Sequence, residues 1–204
     1  MTRPGLRERK KQQVRERISG IATMLFFERG FEAVSVAEIA EAAGVSKMTV
    51  FNYFPRKEDM FFDRWPAFAE MITSAVRGRA PGVPAPDALR DMWLGLLDQR
   101  HALSGMHDNR ITSFYEVVLA SPALRARVRE QIEEVEGLVS RLFAEAGVRR
   151  PEMTAALVVA SARVCYLTAA KRIMTGEPVD SFRAEQRASI AAAWDAAVAA
   201  ASGG

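Results

Sequence analysis

Apolar residues recur along this chain at intervals of three and four, and strand-like alternation is scarce. Ile18, Ile21, Ala22, Leu25 and Phe26 form one such stripe, the pattern of a helix that buries a single face. It predicts a helix from about Arg7 to Arg29, with Gly30 as its stop. Ser35 and Glu38 have capping-box spacing, and Val36, Ile39, Ala40 and Ala43 then give a short second helix with one apolar face. Gly44 can take positive φ, so the chain can turn sharply there. Val45 can pack under the turn, and Ser46 can cap a third helix from Lys47 to about Tyr53. Pro55 cannot sit in a helix interior, so the third helix ends there and "RKEDMFFDRW" opens a fourth.

Beyond it, the Pro- and Gly-rich stretch Arg77–Ala88 reads as a loop. Asp87 is the expected cap of a helix in "ALRDMWLGLLDQRHAL", and "SGMHDN" is a break. Further helices are expected around "RITSFYEVVLA" and in "SPALRARVREQIEEVEGLVSRLFAEAG", with Pro122 in the latter's first turn and Gly147 past its end. Two more follow, over roughly 152–175 and from 181 to about 200. The expected fold is all-α with about nine helices.

Composition narrows the class. Hydrophobic residues make up 49% and charged residues 26%, values of a soluble globular protein. Cys165 is the only cysteine, which excludes an intramolecular disulfide and argues against a Cys-rich metal site. The first residues are basic but lack the apolar stretch of a signal peptide. The longest apolar run, Ala155–Ala162, stops at Arg163, short of a membrane span. A cytoplasmic protein without a membrane partner is expected.

The net charge of +3 is small, but its placement is informative. Residues 1–60 hold 11 Lys/Arg against 8 Asp/Glu, and residues 3–17 hold seven against two; the rest of the chain is balanced. A basic run is often only a solvated face. Directly before a helix-turn-helix it favours phosphate contact. Two short helices across a glycine turn form such a unit, in which the third helix is the candidate reader of a major groove. Val50 and Phe54 should face the core, leaving Lys47, Met48, Thr49, Asn52 and Tyr53 to look outward. They offer a cation, an apolar contact for a thymine methyl, a hydroxyl, an amide and a phenol. A small helical core with an ordinary polar face would show the same pattern.

At these residues, "GFEAVSVAEIAEAAGVSKMTVFNYFPRKEDMF" resembles the N-terminal domain of the TetR family of bacterial transcriptional repressors. The resemblance implies an all-α homodimer with a DNA-binding domain, here 1–56 with its basic arm, and a ligand-binding and dimerisation domain, here 57–204. It also implies a DNA site made of Ser35, Ser46, Lys47, Met48, Thr49, Asn52, Tyr53 and Lys57. Of these, Ser35, Tyr53 and Lys57 match positions that hold phosphates, and Lys47, Met48, Thr49 and Asn52 those that meet bases or backbone. Where the family often has a phosphate-binding tyrosine this chain has Phe51, which must pack or touch a sugar instead.

In the larger part, the helix expected over 152–175 is apolar almost all round, through Leu157, Val158, Val164, Leu167 and Ile173, and wants covering on two sides. The last helix carries small residues, "ASIAAAWDAAVAAA". Together they predict a homodimer through the two C-terminal helices, recognition helices one DNA turn apart, ~34–36 Å, and a palindromic double-stranded operator. Met71, Met92, Trp93, Phe114, Tyr115, Val118 and Tyr166 are core residues or, as a group, an adaptable apolar ligand site. "LASPALRARV" and "AALVVASARVCYLTAAKRIMTG" are similar to a TetR subgroup regulating lipid metabolism in actinobacteria, which implies an acyl-CoA-like effector, with His107 and Arg110 as polar partners.

The expected function is therefore a sequence-specific repressor released from its operator by a small apolar or amphipathic ligand. The alternative is an effector-independent dimeric DNA-binding protein. An enzyme is disfavoured: the two histidines, His101 and His107, lie near one loop, and no nucleophile elbow, phosphate-binding loop or metal-binding His/Cys motif is present. No metal or covalent cofactor is indicated.

Overall fold

The computed structural model describes residues 5–106 and 111–202; His107 and Arg110 lie outside them. Among the described residues there are ten α-helices, one 3-10 turn and no strand. The helices are α1 (Leu6–Arg29), α2 (Val36–Ala42), α3 (Lys47–Tyr53), α4 (Glu58–Phe61), α5 (Trp65–Arg77), α6 (Ala85–Asp98), α7 (Ile111–Ala120), α8 (Pro122–Glu145), α9 (Pro151–Met174) and α10 (Val179–Ser202). The chain divides into two compact units, residues 1–63 with 116–127, and residues 64–115 with 128–204.

Ten helices replace the nine expected because the fourth is two. Phe62 leaves helical geometry (φ −103°, ψ 37°) and closes α4, and Pro66, which has no N–H to donate, opens α5. Asp87 is not a cap: α6 begins at Ala85 after an extended Pro84, and Asp87 lies in its first turn. The same helix stops at Asp98, short of the expected end, because Arg100 takes positive φ (52°) and a 3-10 turn, Ala102–Ser104, follows. His101 caps that turn, its Nδ1 accepting from the Leu103 N–H at 3.2 Å.

The first unit is built on α1. Ile18, Ala22 and Phe26 have no exposed surface, and Phe31, Val34, Ile39, Val50, Phe54, Met60 and Phe61 are among the residues buried with them. Aromatic rings tie the segments together, with Phe26 4.9 Å from Phe31 and 5.9 Å from Phe61. Met60 and Phe61 are buried in this unit, which runs to residue 63. Residues 116–127 group with it, with Leu124 buried and polar contacts from Ser121 Oγ to the Glu32 carboxylate at 2.6 Å and from Arg127 Nε to Asp59 Oδ1 at 3.0 Å.

The second unit holds two apolar clusters. One gathers Ile72, Leu89, Phe143, Val158 and Trp194, and Trp194 Nε1 donates to the Pro86 carbonyl at 3.1 Å. The other gathers Leu97, Tyr115, Cys165, Ile173 and Phe182, and Gln186 Nε2 donates to the Cys165 carbonyl at 2.7 Å. α9 is long and apolar enough to cross a membrane, with mean hydropathy 1.5 over its best window. Here it lines both clusters, and eight of its residues are buried.

Gly105 marks the tightest point. Its φ is +67°, and a Cβ there would lie 2.3 Å from Tyr166 Cε2 and 3.0 Å from the Tyr115 hydroxyl. Gly105→Ala combines left-handed strain with an overpacked ring, so it should cost roughly 2 kcal/mol or more in denaturant unfolding. Gly5, with open space around it, should tolerate alanine within about 0.5 kcal/mol.

Candidate nucleic-acid interface

The α2–turn–α3 segment folds as its residues dictate. Ser35 Oγ accepts from the Glu38 N–H at 3.2 Å, and the Glu38 carboxylate accepts from the Ser35 N–H at 2.8 Å. Both halves of the capping box are thus made. The Ser35 backbone N–H, then the Ser35 hydroxyl and Arg29 (2.8 Å away), hold the Glu38 carboxyl down at about 2. Gly44 takes φ 62°, and Val45 N–H donates back to the Ala40 carbonyl at 2.9 Å, which closes the turn. Ser46 Oγ accepts from the Thr49 N–H at 3.0 Å and meets the Thr49 hydroxyl at 2.8 Å.

α3 is seven residues long and buries only Val50, with Phe54 buried just beyond it. Lys47, Met48, Phe51 and Asn52 are exposed, and Thr49 and Tyr53 half-buried. The structure therefore brings Ser46, Lys47, Met48, Thr49, Asn52 and Tyr53 onto one short element with its outer face free. Ser35 stands exposed at the start of α2. Phe51 is partly covered by the fold but leaves 45% of its surface in solvent.

Lys57 departs from the outward phosphate contact expected. Its ammonium donates to the Phe31 carbonyl and lies 4.1 Å from the Phe31 ring centroid and 5.6 Å from that of Phe26. Burial, outweighing nearby Glu32 and Glu58, lowers its pKa below that of an ordinary lysine. Apolar rings and a carbonyl solvate it in place of water.

A residue of the basic run proves to have a positioning task that spacing alone did not reveal. Arg15 Nη1 donates to the Tyr53 carbonyl at 2.9 Å and Nη2 to the Asp63 carbonyl at 3.4 Å, while its guanidinium lies 4.3 Å from the Phe54 ring centroid. It therefore satisfies a carbonyl at the C-terminal, electronegative end of α3. Its i, i+3 relation to the buried Ile18 was the available signal. Arg7, Arg9, Lys10, Lys11 and Arg17 remain exposed along α1.

Four of the seven candidate ligand residues converge in the second unit. Trp93, Phe114 and Tyr166 pack on the cluster containing Tyr115. The Tyr115 and Tyr166 rings are 5.7 Å apart, and Tyr115 donates to the Gly105 carbonyl at 3.1 Å. Burial, then the neighbouring Tyr166, push the Tyr115 hydroxyl well above an ordinary phenol. Met92 packs on the other cluster. Met71 and Val118 are half-buried and join neither. An open cleft of about 620 Å³ in this unit lies elsewhere, against Arg79, Val83, Gly147, Arg149 and Val198.

With this geometry in view, the chain can be set beside known proteins. Residues 21–63 match the bacterial regulatory proteins of the tetR family. The transcriptional regulator TcmR of Streptomyces glaucescens is 30% identical over 143 residues, 69% of this chain and 63% of that protein. This chain thus spans less than two thirds of TcmR. The fatty acid metabolism regulator protein of Bacillus subtilis is 25% identical over 148 residues, 70% of this chain and 72% of its own. The crystal structure of NalD, a repressor of a Pseudomonas aeruginosa efflux pump, shares the fold at TM-score 0.59 and 21% identity, covering 89% of this chain and 97% of NalD.

Arg15→Ala should lower stability by about 1.5–3 kcal/mol in denaturant unfolding, the range for a charged hydrogen bond. The Glu38 carboxyl is depressed in the fold, so its contribution is full above its ordinary value of 4.5 and lost as pH falls toward about 2. Between those values wild-type stability should fall more steeply than that of Glu38→Gln, followed by unfolding at a series of pH values.

Proposed function

We propose that the chain, whose residues 21–63 match the tetR family of bacterial regulatory proteins, is a member of that family and a sequence-specific DNA-binding regulator, a repressor acting as a homodimer on a palindromic operator. The observation that carries this is the free outer face of α3, held on a capped and buried base, beside the exposed basic stretch of α1. Lys47, Met48, Thr49 and Asn52 meet bases or backbone, and Ser35, Ser46 and Tyr53 hold phosphates. Arg7, Arg9, Lys10 and Lys11 add sequence-independent attraction. Residues up to 63 serve as the DNA-binding domain, and Arg15 sets the attitude of α3 within it.

The homodimer forms through α9 and α10. Met153, Ala160, Val164 and Leu167 make an exposed apolar stripe at helical spacing on α9, and Ala184, Ala188, Ala192 and Ala196 a small-residue face on α10. Large side chains of one copy fit over small ones of the other, and a two-fold pairing repeats the contact.

Release of the operator is by an apolar or amphipathic small molecule of the acyl-CoA class bound among Trp93, Phe114, Tyr115 and Tyr166. The kinship with a fatty acid metabolism regulator supports this choice. One observation favours the second reading, a dimer without an effector: the Tyr115 and Tyr166 rings are in contact and Tyr115 is hydrogen-bonded. Melting temperature in the presence of acyl-CoAs separates the two, since a bound ligand raises it by mass action.

Selection from random DNA at fixed salt should enrich a palindrome. Lys47→Ala should relax the base preference, and Tyr53→Ala should weaken binding across sequences; sequence-blind binding alone would sink the assignment. Replacing Arg9, Lys10 and Lys11 by alanine should flatten the salt dependence by roughly one unit of logarithmic slope per lost phosphate contact. Val164→Arg should yield a folded monomer in sedimentation that no longer binds the palindrome tightly.

A further inference from the structure

We propose that Met48 and Phe51 are specificity-determining residues that recognise the C5-methyl groups of thymines in the major groove, beside the Asn52 amide's own base contact. This rests on the DNA-binding reading above and adds to it what is read and by which side chains.

Met48 is 69% exposed and Phe51 45% exposed, two of the large apolar side chains that the chain leaves in solvent. Both stand on a helix of only seven residues. At about 100° per residue, Met48 and Asn52 point straight away from the buried Val50. Phe51 lies beside Met48 on the flank shared with Lys47, and Thr49 lies on the other flank. Exposed apolar residues scattered singly are ordinary; two at i, i+3 on the one face the fold leaves open are a contact surface.

The chemistry selects the occupant. Phe51 has no hydroxyl and cannot hold a phosphate, and the fold leaves 45% of its surface in solvent. The pair is bounded by Lys47 and Asn52 and is far too small to anchor a protein interface. Within the major groove the thymine methyl is the apolar feature of the base edges. Asn52, next to Met48 at the edge of the pair, suits an adenine, whose N6 and N7 match an amide. The pair and the amide together specify an A·T-containing step in each half-site.

The experiment begins from the operator selected by the wild-type chain and replaces each thymine of a half-site, one at a time, by deoxyuridine, which removes the methyl and nothing else. At one or two positions wild-type affinity should fall about fourfold, the factor for burying one methyl. Phe51→Ala should bind thymine and uracil forms equally at one such position, and Met48→Ala at another. Phe51→Tyr should keep the discrimination, and it also guards against loss of fold in the alanine variant. A wild-type chain that binds its operator yet treats every uracil form like thymine, or selects half-sites without thymine, overturns this inference alone. Failure to enrich any sequence overturns the DNA reading and this inference with it.

Discussion

A helix of seven residues makes too few internal hydrogen bonds to offset its nucleation cost, so α3 persists because other parts of the chain hold both its ends. Ser46 satisfies the first turn, the burial of Val50 and Phe54 anchors the inner face, and Arg15 binds the carbonyl of its last residue. The same guanidinium lies over Phe54 and reaches Asp63, so one side chain from α1 joins the end of α3 to the end of the α4 segment. The outer face of α3 stays open because its buried anchors, Val50 and Phe54, lie on the inner one.

This arrangement divides the basic residues by task. Arg15 and Lys57 are turned inward, against backbone carbonyls and aromatic rings, while Lys47 and the cations along the first turns of α1 stay in solvent. Positive charge by itself therefore identifies a basic segment without saying which members meet a phosphate. An inward cation is worth keeping because it is already partly desolvated and hydrogen-bonded, and removing it leaves a carbonyl without a partner.

In the second unit the limiting constraint is the two-sided demand of α9. Its buried face serves two apolar clusters through Val158, Cys165 and Ile173, and its opposite face remains exposed at Val164 and Leu167. The aromatic group beside it is organised about Gly105, whose positive φ and missing Cβ let the Tyr166 ring and the Tyr115 hydroxyl approach the backbone. Any ligand entering there must displace ring contacts, whereas the open cleft against Arg79 and Arg149 needs no such rearrangement.

Local chemistry made much of this legible in the sequence. The capping box at Ser35 and Glu38, the glycine turn at Gly44, the Ser46 cap and the inward Val50 and Phe54 all follow from spacing and backbone preference, which act over four or five residues. Helix ends set by Pro122 and Gly147 were legible for the same reason. The break at Phe62, the start of α6 at Ala85 and the inward course of Lys57 and Arg15 were not, because they depend on contacts between residues 26 to 48 positions apart and on backbone angles forced by packing. The exposure of Phe51 belongs to this second class. Its sequence allowed it to pack or to face solvent, and only the tertiary arrangement, with Val50 and Phe54 filling the inner side of α3, left the ring outside.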